Sequence, residues 1–293
     1  MSNIICWWSG GITSAVACKI AIDLYGKDNC RVLFIDTFNE DDDTYRFKDD
    51  CASWYDINIE TITAIGQEYA SIKDVWKKYK SLNTANGAIC SSTLKSDVRK
   101  KWQKQNDYKH QVFGFEFETR EFKRAKAMKL NYPETKPIFP LIMMGMDKQD
   151  CVDYINKESI LVPTAYRLGL NNNNCLKTGC IQGGIGYWQH LHKIKPELYL
   201  KMAALEHELT DAKGKPVTML KDQSKESIEL AKKLGLSRKY MPLFLEKHPD
   251  YPEIQTVMDK KARKSEPLKD CNGFCGINDL VKDNKNMELN YEV

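Results

Sequence analysis

A chain of 293 residues, 42% hydrophobic and 29% charged, can bury a full core as one large domain or as a domain with an appendage. No apolar run approaches the ~20 residues that span a bilayer, and the first residues lack the basic and apolar regions of a signal peptide, so the expectation is a cytoplasmic protein with no membrane partner. A net charge of +4 suits an anionic ligand and is too small by itself to argue for nucleic acid.

Residues 3–8 read as a short buried strand that stops at Ser9-Gly10-Gly11. TSAVACKIAIDLY (13–25) then carries apolar side chains at helical spacing as far as Gly26, a C-cap. RVLFIDT (31–37) is a second strand, 44–55 a helix, and INIETIT (57–63) alternates like a third strand. A helix-rich stretch (67–80), a loop around Asn86-Gly87, a basic helix (92–105) and a strand over HQVFGFEF (110–117) follow, and a helix starts near Asp147. Strands alternating with helices predict an α/β fold, doubly wound around a mostly parallel sheet, with ligands beyond the carboxyl ends of the strands. From about residue 186 the pattern changes to long Lys- and Glu-rich helices and Pro-containing loops. The expected organisation is therefore a nucleotide-binding domain over 1–185 and a helical C-terminal extension over 186–293.

The glycine turn after the first strand would offer backbone N–H groups, and Ser14 a hydroxyl, to an anion at a helix N-terminus. No Gly-Lys-Ser/Thr follows, so this is not a Walker A loop, and Ser-Gly-Gly alone is equally a plain turn. Asp36 and Thr37 fall at the carboxyl end of the second strand, and the acidic run Asp41–Asp43 reads most simply as a solvated helix start. Lys95 and Arg99 are one helical turn apart, as are Arg120 and Arg124, and each pair could grip a dianion or simply form a basic surface.

The ten cysteines, in a reducing compartment, read as thiols or metal ligands rather than disulfides. Cys175-x4-Cys180 and Cys271-x3-Cys275 are two close pairs that could close a Zn²⁺ site or hold most of a 4Fe-4S cluster, with Cys90 a further ligand. A redox thiol and ordinary packing stay open for the same residues. Cys6, Cys18, Cys30, Cys51 and Cys151 sit in strand or helix patterns and read as packing residues.

Several segments, taken in order over roughly residues 3–185, resemble the phosphoadenosine phosphosulfate (PAPS) reductase family of the PP-loop, or adenine nucleotide α-hydrolase, superfamily. They are SGGITS (9–14), VLFIDTFNEDDDTYRF (32–47), ICSSTLKSDVRKKW (89–102), GFEFETREFKRA (114–125), and the Pro-Leu segment and VPTAYRLGL leading to NNNNCLKTGC. The resemblance implies an enzyme that binds an adenine nucleotide, PAPS or ATP with Mg²⁺. Ser9, Gly10, Gly11, Thr13 and Ser14 would surround a phosphate, with Asp36 and Thr37 near the nucleotide. Lys95, Arg99, Arg120 and Arg124 would meet the sulfate and phosphate oxygens.

FCGIND (274–279) is similar to the family's C-terminal cysteine segment, which makes Cys275 the implied nucleophile and a thioredoxin- or glutaredoxin-type dithiol the implied reductant; family members are often homodimers. The sequence departs from the family at four places: Thr13 replaces an Asp, Cys90 stands alone in a Cys-Cys position, Gly183 falls where a cysteine would, and Phe274 and Asn278 replace Glu and His. These departures keep two rivals in play: an ATP-dependent sulfur transferase acting on DNA or tRNA, and a nucleotide-binding module without turnover.

Overall fold

In the computed structural model, which describes residues 4–84, 87–235 and 240–254, the first two of these segments build a parallel sheet. Its strands are β1 (Ile4–Trp8), β2 (Cys30–Ile35), β3 (Ile59–Ile62), β4 (His110–Val112) and β5 (Pro137–Ile138), in the order β3-β2-β1-β4-β5. β1 lies between β2 and β4, pairing Cys6 with both Val32 and Val112, and every pairing in this sheet is parallel. The chain passes from β3 across to β4 on the far side of β1, so the direction of winding reverses between β1 and β4. A crevice opens at such a reversal, beyond the carboxyl ends of the strands.

β1 is buried on both faces because helices cover both. Ile4, Cys6, Trp8, Val32 and Phe34 pack against α1 (Ile12–Tyr25), α2 (Asp42–Tyr55) and α6 (Lys148–Lys157). Ile5, Trp7, Leu33 and Ile35 pack against Trp102 of α4 (Asp97–Gln105) and Ala125, Ala127 and Met128 of α5 (Thr119–Asn131). This is the doubly wound α/β architecture expected from the sequence. Cys6, Cys18, Cys30, Cys51 and Cys151 are buried in the first of these layers.

A separate core joins α3 (Ile72–Tyr79) to the later chain. Trp76, Leu94, Leu170 and Leu176 pack there with Tyr187, Trp188 and Leu191 of α7 (Ile185–Ile194) and with Tyr199, Met202 and Leu209 of α8 (Pro196–Lys213). Beyond α8, a short antiparallel pair, β6 (Leu220–Asp222) and β7 (Met241–Leu243), brackets α9 (Lys225–Lys233). The buried carboxylate of Glu206 holds this pair to α8, accepting from the backbone N–H groups of Met219 (2.6 Å) and Leu245 (2.8 Å). Full burial pushes its pKa up to about 8 although both bonds favour the charged form.

Three boundaries differ from the sequence reading. The helix expected over 67–80 begins at Ile72, because Ser71 and Asp74 close a capping box there. The helix expected over 92–105 opens with a π turn, Ser92–Ser96. The strand expected over 110–117 ends at Val112, and residues 113–117 leave the sheet as a loop.

Candidate functional site

The Ser9–Ser14 turn leaves the carboxyl end of β1 beside that crevice. Gly10 has φ +87°, a conformation in which a side chain is strained, and a Cβ there would stand 3.0 Å from the Thr44 methyl. The turn is braced internally by Ser14, whose Oγ accepts from the Ser9 N–H and hydroxyl (3.0 Å each) and donates to the Gly11 carbonyl (2.8 Å). The hydroxyl that the sequence offered to an anion is thus used to shape the turn. Gly11, at the N-cap of α1, has no side chain of its own with which to cap the helix. Thr13 is buried at 3% exposure.

Two segments wall the turn. Gly114, in the loop after β4, lies so close to α1 that a Cβ would fall 2.6 Å from the Ser14 Cα and N. On the other side Asn173 donates through Nδ2 to the Gly10 carbonyl and to Thr44 Oγ1 (2.9 Å each), and Tyr166 accepts from the Ile12 N–H (3.2 Å). The asparagine tract, which carried no signal in the sequence beyond its low complexity, is therefore what ties the C-terminal part of this layer to the turn.

At the carboxyl end of β2, Asp36 is buried and accepts from Tyr45 Oη (3.0 Å) and from the Phe38 N–H (2.7 Å). Phe38 itself takes φ +52° and is half exposed, an unfavourable backbone for a bulky side chain and one without a local pattern that signals it. Thr37 Oγ1 donates to Glu40 Oε1 (3.4 Å), and the same oxygen meets Lys95 Nζ at 3.3 Å in a pair that is almost wholly buried. Lys95 sits in the π turn. Such turns are rare and recur at functional sites because they re-aim a side chain within a helix.

The wider turn also separates Lys95 from Arg99. Arg99 is fully buried, donates to Gln103 Oε1 (2.9 Å) and lies over the Tyr132 ring (5.6 Å), and burial lowers its pKa to about 10. Tyr132 follows α5, so Arg99 reaches toward the amino end of the sheet while Lys95 reaches the carboxyl end. Beyond β4, Arg124 is buried against the Phe115 ring (4.4 Å) and paired with Glu121 (2.5 Å), while Arg120 stands 3.8 Å from the same carboxylate and is partly exposed. Lys148 bridges Glu116 (3.6 Å) and the Asn171 carbonyl (3.1 Å) between these two arcs.

The acidic run is not simply solvated. Asp43 meets Arg167 (3.4 Å), binds Arg46 and accepts from the Thr164 N–H (2.7 Å), and Arg46 and Thr164 hold its carboxyl far below the usual carboxylate range. Asp42 pairs with Lys177 (2.8 Å) and Asp41 with Lys195 (3.6 Å). Together with the Asn39 to Thr178 bond (2.6 Å), they fasten the 164–195 region to the end of β2.

That region carries Cys175 and Cys180, both 8% exposed and, like the half-buried Cys90, part of the separate core. A Cβ at Gly183 would stand 2.1 Å from the Tyr187 ring, whose hydroxyl accepts from the Cys180 N–H (3.0 Å). The space a cysteine would need at 183 is filled by that ring. No group of three His, Cys, Asp or Glu able to hold a metal forms among the described residues. Cys271 and Cys275 lie outside the described residues. No helix among the described residues is long and apolar enough to cross a membrane.

The family model of the phosphoadenosine phosphosulfate reductase domain matches residues 3–183, the whole span from β1 through the Cys175–Cys180 segment. The chain belongs to this family. It is a PAPS reductase-like nucleotide-binding enzyme, and a crevice like that above β1 and β4 is where doubly wound sheets take their ligands. A solved structure with a partial likeness is the phosphate complex of the phosphoadenylyl-sulfate (PAPS) reductase from Candida auris, at 17% identity and a TM-score of 0.44 over 60% of this chain and 82% of that one. We found no match to the chain among curated proteins.

Proposed function

We propose that the protein is a phosphosulfate reductase whose nucleotide lies across the Gly10–Ser14 turn. In this reading residues 1–185 bind the nucleotide and 186–293 supply the helical extension and the reacting thiol. The observation that carries it is the Gly10-Gly11 turn, pressed between Gly114 and Asn173 at the reversal of the sheet in a PAPS reductase domain. The start of α1 would face a phosphate, favoured by the partial positive charge of a helix N-terminus. Lys95, held at the end of β2 by Glu40, and Arg120 and Arg124 beyond β4 would flank the crevice with cations, while Asp36 and Thr37 line its β2 side. Arg99 supports Tyr132 and α4 instead of reaching the ligand.

The chemistry belongs to Cys275. Its thiolate would attack the sulfur of PAPS, forming the S–S bond of an S-sulfocysteine as the S–O bond to phosphate breaks and adenosine 3′,5′-bisphosphate departs. A dithiol of the thioredoxin or glutaredoxin type would then attack the cysteine sulfur, release sulfite and end as a disulfide. The assay is incubation of the full chain with PAPS and reduced thioredoxin, and separately with ATP, Mg²⁺ and tRNA or DNA. Sulfite in the first tube, lost in Cys275→Ser, is the expected result. AMP and pyrophosphate in the second tube, with no sulfite in the first, would overturn it in favour of a sulfur transferase.

A further inference from the structure

We propose that the outer faces of α4 and α5 form a docking surface for the phosphate backbone of a nucleic acid. Both helices bury one side against the same face of the sheet, through Trp102 on α4 and Ala125 and Met128 on α5, and they touch where Arg99 lies over Tyr132 at the end of α5. Their opposite sides therefore point to solvent side by side. Those sides are lysine: Lys100 and Lys104 are exposed one turn apart on α4, and Lys123, Lys126 and Lys129 recur every third residue on α5.

The patch continues at the amino end of the sheet. There the exposed Lys109 and Lys136 are brought near each other by the contact of His110 Nδ1 with the Lys136 carbonyl (3.2 Å). Within residues 95–136 the exposed charges are seven lysines, Lys100, Lys101, Lys104, Lys109, Lys123, Lys129 and Lys136, against four acids.

Lys101 pairs with Glu68 (3.2 Å), but Lys100, Lys104, Lys109, Lys123, Lys129 and Lys136 have no carboxylate within 4.0 Å among the described residues. The exposed acids of the stretch, Asp97, Asp107, Glu118 and Glu134, stand at the helix starts or in the loops and leave the middle of both faces free of negative charge. Like charges one turn apart repel along a helix, so the pattern works against the local structure unless a polyanion answers it.

The chemistry favours nucleic acid over an acidic protein. Protein interfaces are depleted in Lys and anchored by aromatic side chains at their centre, whereas nucleic-acid interfaces are strongly positive. On these two faces Leu130 is the exposed large apolar side chain, and α4 presents none. The length fits as well. α5 runs about 20 Å, against one backbone charge per ~1.7 Å of duplex.

The test is fluorescence anisotropy of the full chain with a labelled 24-base-pair DNA duplex over a range of salt, for wild type and for K100E/K104E/K123E/K129E. Wild type is expected to bind with log affinity falling against log salt at a slope steeper than about −3.5, one released counterion for each of at least four phosphates. The quadruple variant should bind about 100-fold more weakly at low salt, with its thermal midpoint and adenine-nucleotide binding unchanged. Absence of binding, binding indifferent to the four reversals, or displacement of the duplex by poly-glutamate as readily as by unlabelled duplex would each overturn the proposal, the last in favour of an acidic protein.

Discussion

Gly114 and Gly10 hold the site open for different reasons, and the difference can be measured. Gly10 needs its positive φ, whereas Gly114 needs only the absence of a Cβ, because one would stand 2.6 Å from the backbone of Ser14. Gly114→Ala should therefore push the loop after β4 away from α1, at a cost of about 2 kcal/mol in stability by chemical denaturation and with weakened nucleotide binding. The sequence showed Gly10 plainly, since Ser-Gly-Gly between a strand and a helix is a local pattern. It showed Gly114 only as part of a longer segment, because the backbone it meets lies about a hundred residues earlier in the chain. Asn173, Thr44 and Tyr166 were illegible for the same reason: their role is set by contacts across the fold, and nothing in their own neighbourhood signals it. At Gly183, where the family pattern has a cysteine, the Tyr187 ring fills the space, and only the folded chain shows this.

At the scale of elements, the π turn over Ser92–Ser96 sends Lys95 to Glu40, and the helix that follows sends Arg99 elsewhere. Periodicity alone could not separate the two, because one extra residue in a turn leaves the apolar pattern nearly intact. Lys95→Met should weaken binding of adenosine 3′,5′-bisphosphate by about tenfold or more, as expected for the loss of one charge-assisted contact. Equal affinity for the variant would remove Lys95 from the site.

The attachment of β6 and β7 to α8 rests on Glu206, whose folded pKa of about 8 lies above that of an unfolded carboxyl. Between those two values the folded state binds more protons than the unfolded one, so stability must fall as pH rises from about 4.5 toward and past 8. Thermal melts across that range should show the decline in wild type. They should show a flatter profile in Glu206→Gln, which is also weaker at low pH because its amide N–H₂ faces one of the two backbone donors. A wild-type profile that rises over the same range would contradict this reading.

For the molecule as a whole, the alternation of strands and helices was enough to give a doubly wound sheet. The order β3-β2-β1-β4-β5 follows from handedness and from the long crossing that places β4 beside β1. What the sequence left unseen is the second core, in which α3 and Leu94 join α7 and α8, since packing between distant segments has no local signature. The acidic run at the end of β2 and the basic partners Lys177, Arg167 and Lys195 fasten the two cores together around the crevice. The proposed reaction requires the nucleotide to lie where β1 and β4 diverge. Hydrogen–deuterium exchange of the full chain, with and without saturating adenosine 3′,5′-bisphosphate, tests that location directly. Slowed exchange in residues 8–15 and 113–121 is the predicted result; unchanged exchange there, or protection confined to other segments, would contradict it.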